Sequence, residues 1–204
     1  MVLGAMVGVL LSFTVKRAQK LSSVSPVLRR LLLRKASGSP PILRTNVYYL
    51  AHMNYARLKA PMDDPSMAEF KAAMDPINVL AKRTPGYVWS LDNPLQTDVS
   101  SVSLLRDDPL LMPQLSLWEN PQAIQHFAFK SGHFMYYKRK REWFTSPTPP
   151  WSVCWWFLST DEFPVPTLSQ AFGRLQILRE NQISTPDAFE LSSAKEFPKP
   201  TIKQ

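Results

Sequence analysis

The sequence predicts an α+β domain of the ferredoxin-like, split βαβ type. That plan is a four-stranded antiparallel sheet with helices on one face, here with an extra helix near the C-terminal end. Three observations predict it. Short two-faced runs of period two alternate with longer runs of helical period, in the order strand–helix–strand–strand–helix–strand. Proline, with Asp, Asn or Gly beside it, punctuates those runs where chain direction must change. A hydrophobic share of 45% with 20% charged residues over 204 positions describes one globular domain with tails.

From Asn46, NVYYLAHMNYA reads as the first strand, with Val47, Tyr49, Ala51 and Met53 on one face and Tyr48, Leu50, His52 and Asn54 on the other. DDPSMAEF opens a helix, with Ser66 and Glu69 forming a capping box. Met67, Phe70, Met74, Ile77 and Leu80 follow at helical spacing. Pro76 removes a hydrogen bond and crowds the turn before it, so the spacing predicts one helix to Met74 and a short second one, capped by Asp75, to about Lys82. Thr84–Gly86 is a turn, YVWSL the second strand, and residues 92–109 a polar, proline-containing loop. In the third strand, LMPQLSLWE, Leu111, Pro113, Leu115 and Leu117 oppose Met112, Gln114, Ser116 and Trp118, and Pro113 marks an edge or a bulge.

Asn120-Pro121 starts a long helical pattern that runs to about Phe144, kinked at Gly132 and ended by SPTPP. WSVCWWFL is the fourth strand, apolar on both faces. PTLSQAFGRLQILREN is the extra helix, striped by Leu168, Phe172, Leu175 and Leu178. Phe189 and Phe197 anchor the C-terminal segment; the domain spans 45–198 and residues 199–204 are a tail.

A sheet with helices on one face leaves the other to be covered, often by a second subunit. The apolar strand faces are expected beneath the helices. The mixed faces, carrying His52, Asn54, Gln114, Ser116 and Trp118, are expected to line what lies opposite. Leu50 and Trp118 set among such polar groups suit an enclosed pocket better than an open sheet face.

The net charge of +8 is not spread over the domain. Residues 1–44 carry eight Lys or Arg and no acid, so the sixteen cations of the remainder are balanced by sixteen acids. The basic balance is therefore no argument for a nucleic-acid partner. The leader itself reads as a targeting or anchoring segment. Met1–Val15 is nearly all apolar but shorter than the roughly twenty residues a spanning helix needs, and its cations follow it. The expectation is an organellar transit peptide, mitochondrial or plastid, or a short membrane anchor over residues 1–15.

The single cysteine, Cys154, excludes an internal disulfide and a cysteine-based zinc site, and it reads as a buried structural thiol. His52, His126 and His133 are too scattered for a metal motif, so no metal is expected unless His133 holds haem. Lys138–Arg141 occupy every side of a helix, which excludes one flat basic patch.

The blocks LAHMNYARLKAPMDDPSMAEFKAAMDPINVLAKRTPGYVW (Leu50–Trp89), LSLWENPQAIQHFAF (Leu115–Phe129), SGHFMYYKRKREWF (Ser131–Phe144) and PTLSQAFGRLQILREN (Pro166–Asn181) resemble, in order and spacing, the family labelled domain of unknown function 3291. The resemblance covers roughly residues 46–198. It implies the dimeric α/β-barrel superfamily, in which two protomers close sheet against sheet, and which includes antibiotic-biosynthesis and haem-degrading monooxygenases. Asn54 stands on the first strand, as an asparagine does in the haem-degrading enzymes. Trp118 and His133 fall roughly where those enzymes place a tryptophan and an axial histidine.

His133, Tyr137 and Arg141 are spaced four apart and so share a helical face. The resemblance implies a homodimer with a small-molecule pocket and, as one reading, a monooxygenase acting on an electron-rich aromatic or an enol. Without a cofactor, His133 would deprotonate the substrate, Asn54 and Arg141 would stabilise the anion, and dioxygen would attack the carbanion. Trp118 and Trp89 would hold the ring, with Tyr137 and His52 lining the site. A second reading gives His133 to haem as axial ligand. A third is a non-catalytic dimeric binding protein, in which His133 merely packs at a helix–sheet junction and the tryptophans are plain core.

Overall fold

The computed structural model describes residues 43–91, 102–145 and 148–202. The targeting or anchoring reading falls on residues 1–42 and lies outside the described residues. No helix among the described residues is long and apolar enough to cross a membrane.

The centre of the domain is β1 (Val47–Leu58), the longest strand. On one side β3 (Leu111–Trp118) pairs with it, from Leu50↔Trp118 to Arg57↔Leu111. On the other side β5 (Ser152–Ser159) pairs from Val47↔Ser159 to Asn54↔Ser152, and the two-residue β4 (Phe144–Thr145) takes over at Arg57 and Leu58. The short β2 (Tyr87–Ser90) pairs along the outer side of β3. All neighbours are antiparallel, in the order β2-β3-β1 with β5 and β4 beyond, and the sheet curls into a half-barrel. Pro113 is tolerated in β3 because β2 reaches only as far as Ser116, which leaves that stretch a local edge.

Helix α1 (Ala68–Arg83) follows a 3-10 turn, Pro65–Met67. Two expectations fail here. Asp64, not Ser66, is the cap: its carboxylate accepts from the Ser66 amide at 2.9 Å and hydroxyl at 2.6 Å, since Pro65 takes the first helical place. The helix also runs through Pro76 without a break. A mid-helix proline costs about 3 kcal/mol. Burial of Ala73 before it and Ala81 after it packs both halves into the domain and offsets that cost.

Thr84-Pro85-Gly86-Tyr87 is the next turn, closed by the Tyr87 amide on the Thr84 carbonyl at 3.0 Å. Proline at its second position and Gly86 at φ 83° at its third give the type II pattern. A Cβ on Gly86 would also fall 2.7 Å from that of Ala123, so the glycine lets the following helix close on the sheet.

Within the loop before β3, Ser103–Asp107 forms a short helix, α2. α3 (Pro121–Lys130) starts as expected, with the Asn120 side chain accepting from the Ala123 amide at 2.9 Å. The kink expected at Gly132 is a full break. α4 (His133–Arg139) is a separate helix that tightens into a 3-10 turn at Lys140–Glu142. α5 (Leu168–Asn181) is the extra helix, opened by a capping box of Thr167 and Gln170.

Both faces of the sheet are covered from within the chain. Tyr49, Ala51, Met53, Leu115, Leu117, Val153 and Trp155 pack with Leu168, Ala171, Leu175 and Leu178 of α5. On the mixed face, Leu50, Trp118 and Cys154 pack with Ala123 and Ile124 of α3 and with Phe189. At the far end of that face, Leu58 and Met112 meet Met67, Phe70 and Trp143. The mixed face therefore lies under α3, where the apolar face was expected. α5 occupies the side that sequence reasoning left for a second subunit.

Candidate functional site

The two apolar patches on the mixed face leave a polar band between them. Residues paired across strands share a face, so the register sets Gln114, Asn54 and Ser152 in one row and Ser116, His52 and Cys154 in the next. The row beyond is Trp118, Leu50 and Trp156. Ser116 Oγ accepts from the Trp118 indole at 2.9 Å, which fixes the ring orientation. Burial pushes the His52 imidazole down to about 4, although the residue keeps some accessible surface. It is therefore neutral at pH 7. Cys154 is fully buried and burial pushes its thiol up, which is the chemistry of an inert structural cysteine.

The helix layer brings His133 to this face through a run of ring contacts. Phe127 of α3 stacks on Trp118 at 5.5 Å between centroids, His133 lies 4.7 Å from Phe127, and Tyr137 lies 6.3 Å from His133. The break between α3 and α4 makes this possible. Ser131 folds back to donate to the Phe127 carbonyl and accepts from the His133 amide at 3.2 Å, which sets the start of α4. The His133 Nδ1 donates to the Ala128 carbonyl at 3.2 Å. That bond selects the tautomer and leaves Nε2 as the acceptor. Burial lowers the His133 pKa and the carbonyl partly opposes it, so this ring too is neutral at pH 7.

Of the predicted site residues, the structure places His52, Asn54 and Trp118 on one sheet face and links His133 and Tyr137 to it. Trp89 departs. A β-bulge between Tyr87 and Trp89 pairs Tyr87 with Trp118 but Trp89 with Leu117, so Trp89 turns to the apolar face. Arg141 departs as well. The switch to 3-10 geometry after Arg139 breaks the four-residue stripe, and Arg141 is exposed, its backbone carbonyl accepting from Lys59. The cation beside the stripe is Lys140, whose ammonium sits 4.2 Å from the Tyr137 ring centroid and 5.3 Å from that of Trp151. His126 is exposed on α3.

Arg139 is the residue that sequence reasoning passed over. It pairs bidentately with Glu69 of α1, at 2.6 and 2.8 Å, and with Glu142, at 2.7 and 2.8 Å, and lies over the Trp143 ring. Glu142 is thus held by Arg139 and not by its chain neighbour Arg141. The only signal in the sequence was the three-residue spacing of Arg139 and Glu142.

Among the described residues no group of three or more His, Cys, Asp or Glu side chains could hold a metal ion. Two cavities lie away from the polar band. One is a groove of about 510 Å³ between β5 and α5, the other a hollow of about 380 Å³ beside Pro150 and the end of α5. The chemical resources of the band are thus a neutral imidazole, a carboxamide, a hydroxyl and an aromatic wall. A family model described as a domain of unknown function, DUF3291, matches residues 49–204. No curated protein and no solved structure matches the chain.

Proposed function

This chain belongs to the DUF3291 family, and from that premise we propose that it binds a small planar molecule at the mixed sheet face. The reading rests on one observation: the ring run Trp118–Phe127–His133–Tyr137 starts on the face that carries Asn54 and His52 and includes a neutral histidine. An aromatic wall with a few polar groups is the usual make-up of a small-molecule site. The strand order, with α1 and α3 covering one face, supports a ferredoxin-like, dimeric-barrel placement. In a homodimer closed sheet against sheet, the second protomer would meet α5 rather than bare strands.

The reaction we propose is monooxygenation of an electron-rich aromatic or an enol. His133 Nε2 takes the substrate hydroxyl proton, the Asn54 carboxamide donates to the resulting oxyanion, and the carbanionic carbon adds dioxygen to give a hydroperoxide. The O–O bond of that hydroperoxide breaks as water leaves with the carbon's own hydrogen, so that one oxygen stays as a carbonyl. Lys140, beside the Tyr137 ring, takes the place given to Arg141 as the cation of the stripe. The haem reading has its own support, because an imidazole held through Nδ1 by a backbone carbonyl presents Nε2 as a ligand. Haem would supply redox and oxygen-activating chemistry there; the chain's part is to orient that nitrogen.

One experiment addresses both. Oxygen uptake with 1,4-dihydroxynaphthalene is measured beside the absorption spectrum after adding haemin. The expected result is turnover that His133→Ala and Asn54→Ala each lower by about 10²-fold or more. A Soret band that His133→Ala shifts or abolishes would favour haem binding. Saturable binding of the naphthalene without turnover would leave a non-catalytic binding protein. Unchanged binding and turnover in both variants would refute the site.

A further inference from the structure

The groove between β5 and α5 lies on the outer edge of the sheet, and that edge is only partly used. Cys154 exchanges two backbone hydrogen bonds with Phe189, at 2.7 and 2.9 Å, so its N–H and C=O point away from β1. Directions repeat every second residue along a strand, so those of Trp156 and Leu158 point the same way. Neither has a backbone partner on that side among the described residues. Beside this bare edge lie exposed apolar groups, Leu158 at 37% and Phe163 at 53% accessibility, with Tyr48 and Ile177 in the lining. Across the groove α5 presents Gly173, at which a Cβ would meet no atom within 4 Å. Glycine in a helix interior costs up to about 1 kcal/mol against alanine. Neither a positive φ nor a close contact accounts for it here.

We propose that this groove takes an extended peptide strand from a partner, paired to Trp156 and Leu158 and seating an apolar side chain over Gly173. Free backbone groups on an edge strand are met by another backbone, and the apolar lining selects alternate side chains. The charges define the partner further. Arg174, the cation in the lining, already donates to the Asp187 carboxylate at 2.9 Å and its carbonyl at 3.1 Å. The loop whose ends Thr160 and Phe163 line the groove carries the exposed Glu162. The complementary strand is therefore apolar on alternate positions with a Lys or Arg at the loop end.

The test uses the full chain and a phage-displayed random peptide library, followed by synthetic copies of the selected peptides. Expected are peptides with alternating apolar residues and a basic residue near one end. Methylating alternate backbone nitrogens should weaken their Kd by about tenfold or more. Gly173→Leu should do the same with the circular dichroism spectrum unchanged, and Leu158→Lys gives a second, independent block. Selection of nothing, or binding indifferent to both N-methylation and Gly173→Leu, overturns the proposal. So does sedimentation equilibrium showing a dimer that Gly173→Leu dissociates, because the edge would then belong to a second copy of this chain.

Discussion

His52 sits in the middle of the polar band, between Ser116 on one strand and Cys154 on the other, with no charged group in those rows or the rows beside them. Its folded pKa, pushed by burial to about 4, lies below the ordinary histidine value of about 6.5. Between those values the unfolded chain binds the proton that the folded chain refuses, so stability falls as pH drops from about 6.5 to about 4. His133, also lowered by burial, adds to the same slope. The loss from His52 is at most about 3 kcal/mol, an upper bound given the residue's partial accessibility. Urea melts across that window should show it, and His52→Gln should flatten the profile. A slope that survives the substitution would place the proton elsewhere. Period-two reading found His52, Asn54 and Trp118 on one face because alternation is a property of any regular strand. It lost Trp89 because a one-residue bulge leaves no mark in composition yet reverses every side chain after it.

At the scale of elements, proline shows how context decides a local rule. Asn120-Pro121 starts a helix as read from sequence, and Asp64-Pro65 starts a 3-10 turn although the cap was expected at Ser66. Asp75-Pro76 has the same look and starts nothing, because the residues on either side are already committed to one buried stripe. Propensity is a weak prior that packing overrides. The cost should be recoverable: Pro76→Ala is expected to stabilise the domain by about 1–3 kcal/mol, read as a higher midpoint in thermal unfolding. A lower midpoint would mean that the proline is needed for the helix's path. The same contrast explains Arg141. Four-residue spacing places it with His133 and Tyr137 only while the helix stays α, and the 3-10 turn at Lys140 ends that relation. Arg139, two residues back, ties α4 to α1 through Glu69, a contact across 70 positions that no local pattern could announce.

For the molecule as a whole, the mixed α/β class, the extra helix and the two-faced strands were legible, because each follows from periodicity over several residues. Which helix covers which face was not. Strand alternation separates two faces without saying what lands on either, and helices arrive by connections whose handedness the residues do not display. The outcome is a sheet with a core on both sides, and α5 seals the larger one through Leu168, Ala171, Leu175 and Leu178. Leu175→Ala should therefore cost about 2–5 kcal/mol in denaturant unfolding, a loss comparable to a substitution at the centre of an ordinary core. A cost below about 1 kcal/mol would show that α5 is an appendage and that the apolar face is stabilised by something else.

The bond pair between Phe189 and Cys154 bears on more than the shape of the C-terminal segment. An open strand edge is a template for aggregation, and proteins that keep one open usually guard part of it. Here the guard is the chain's own late segment, pinned by Phe189 in the core and by the Trp156 indole donating to the Phe197 carbonyl at 2.8 Å. Protection of part of the β5 edge thus depends on a segment some thirty residues downstream of the strand itself. A chain that has completed β5 but lacks Phe189 leaves the outer edge of β5 without its backbone guard, and that is a stage at which a holding chaperone would act.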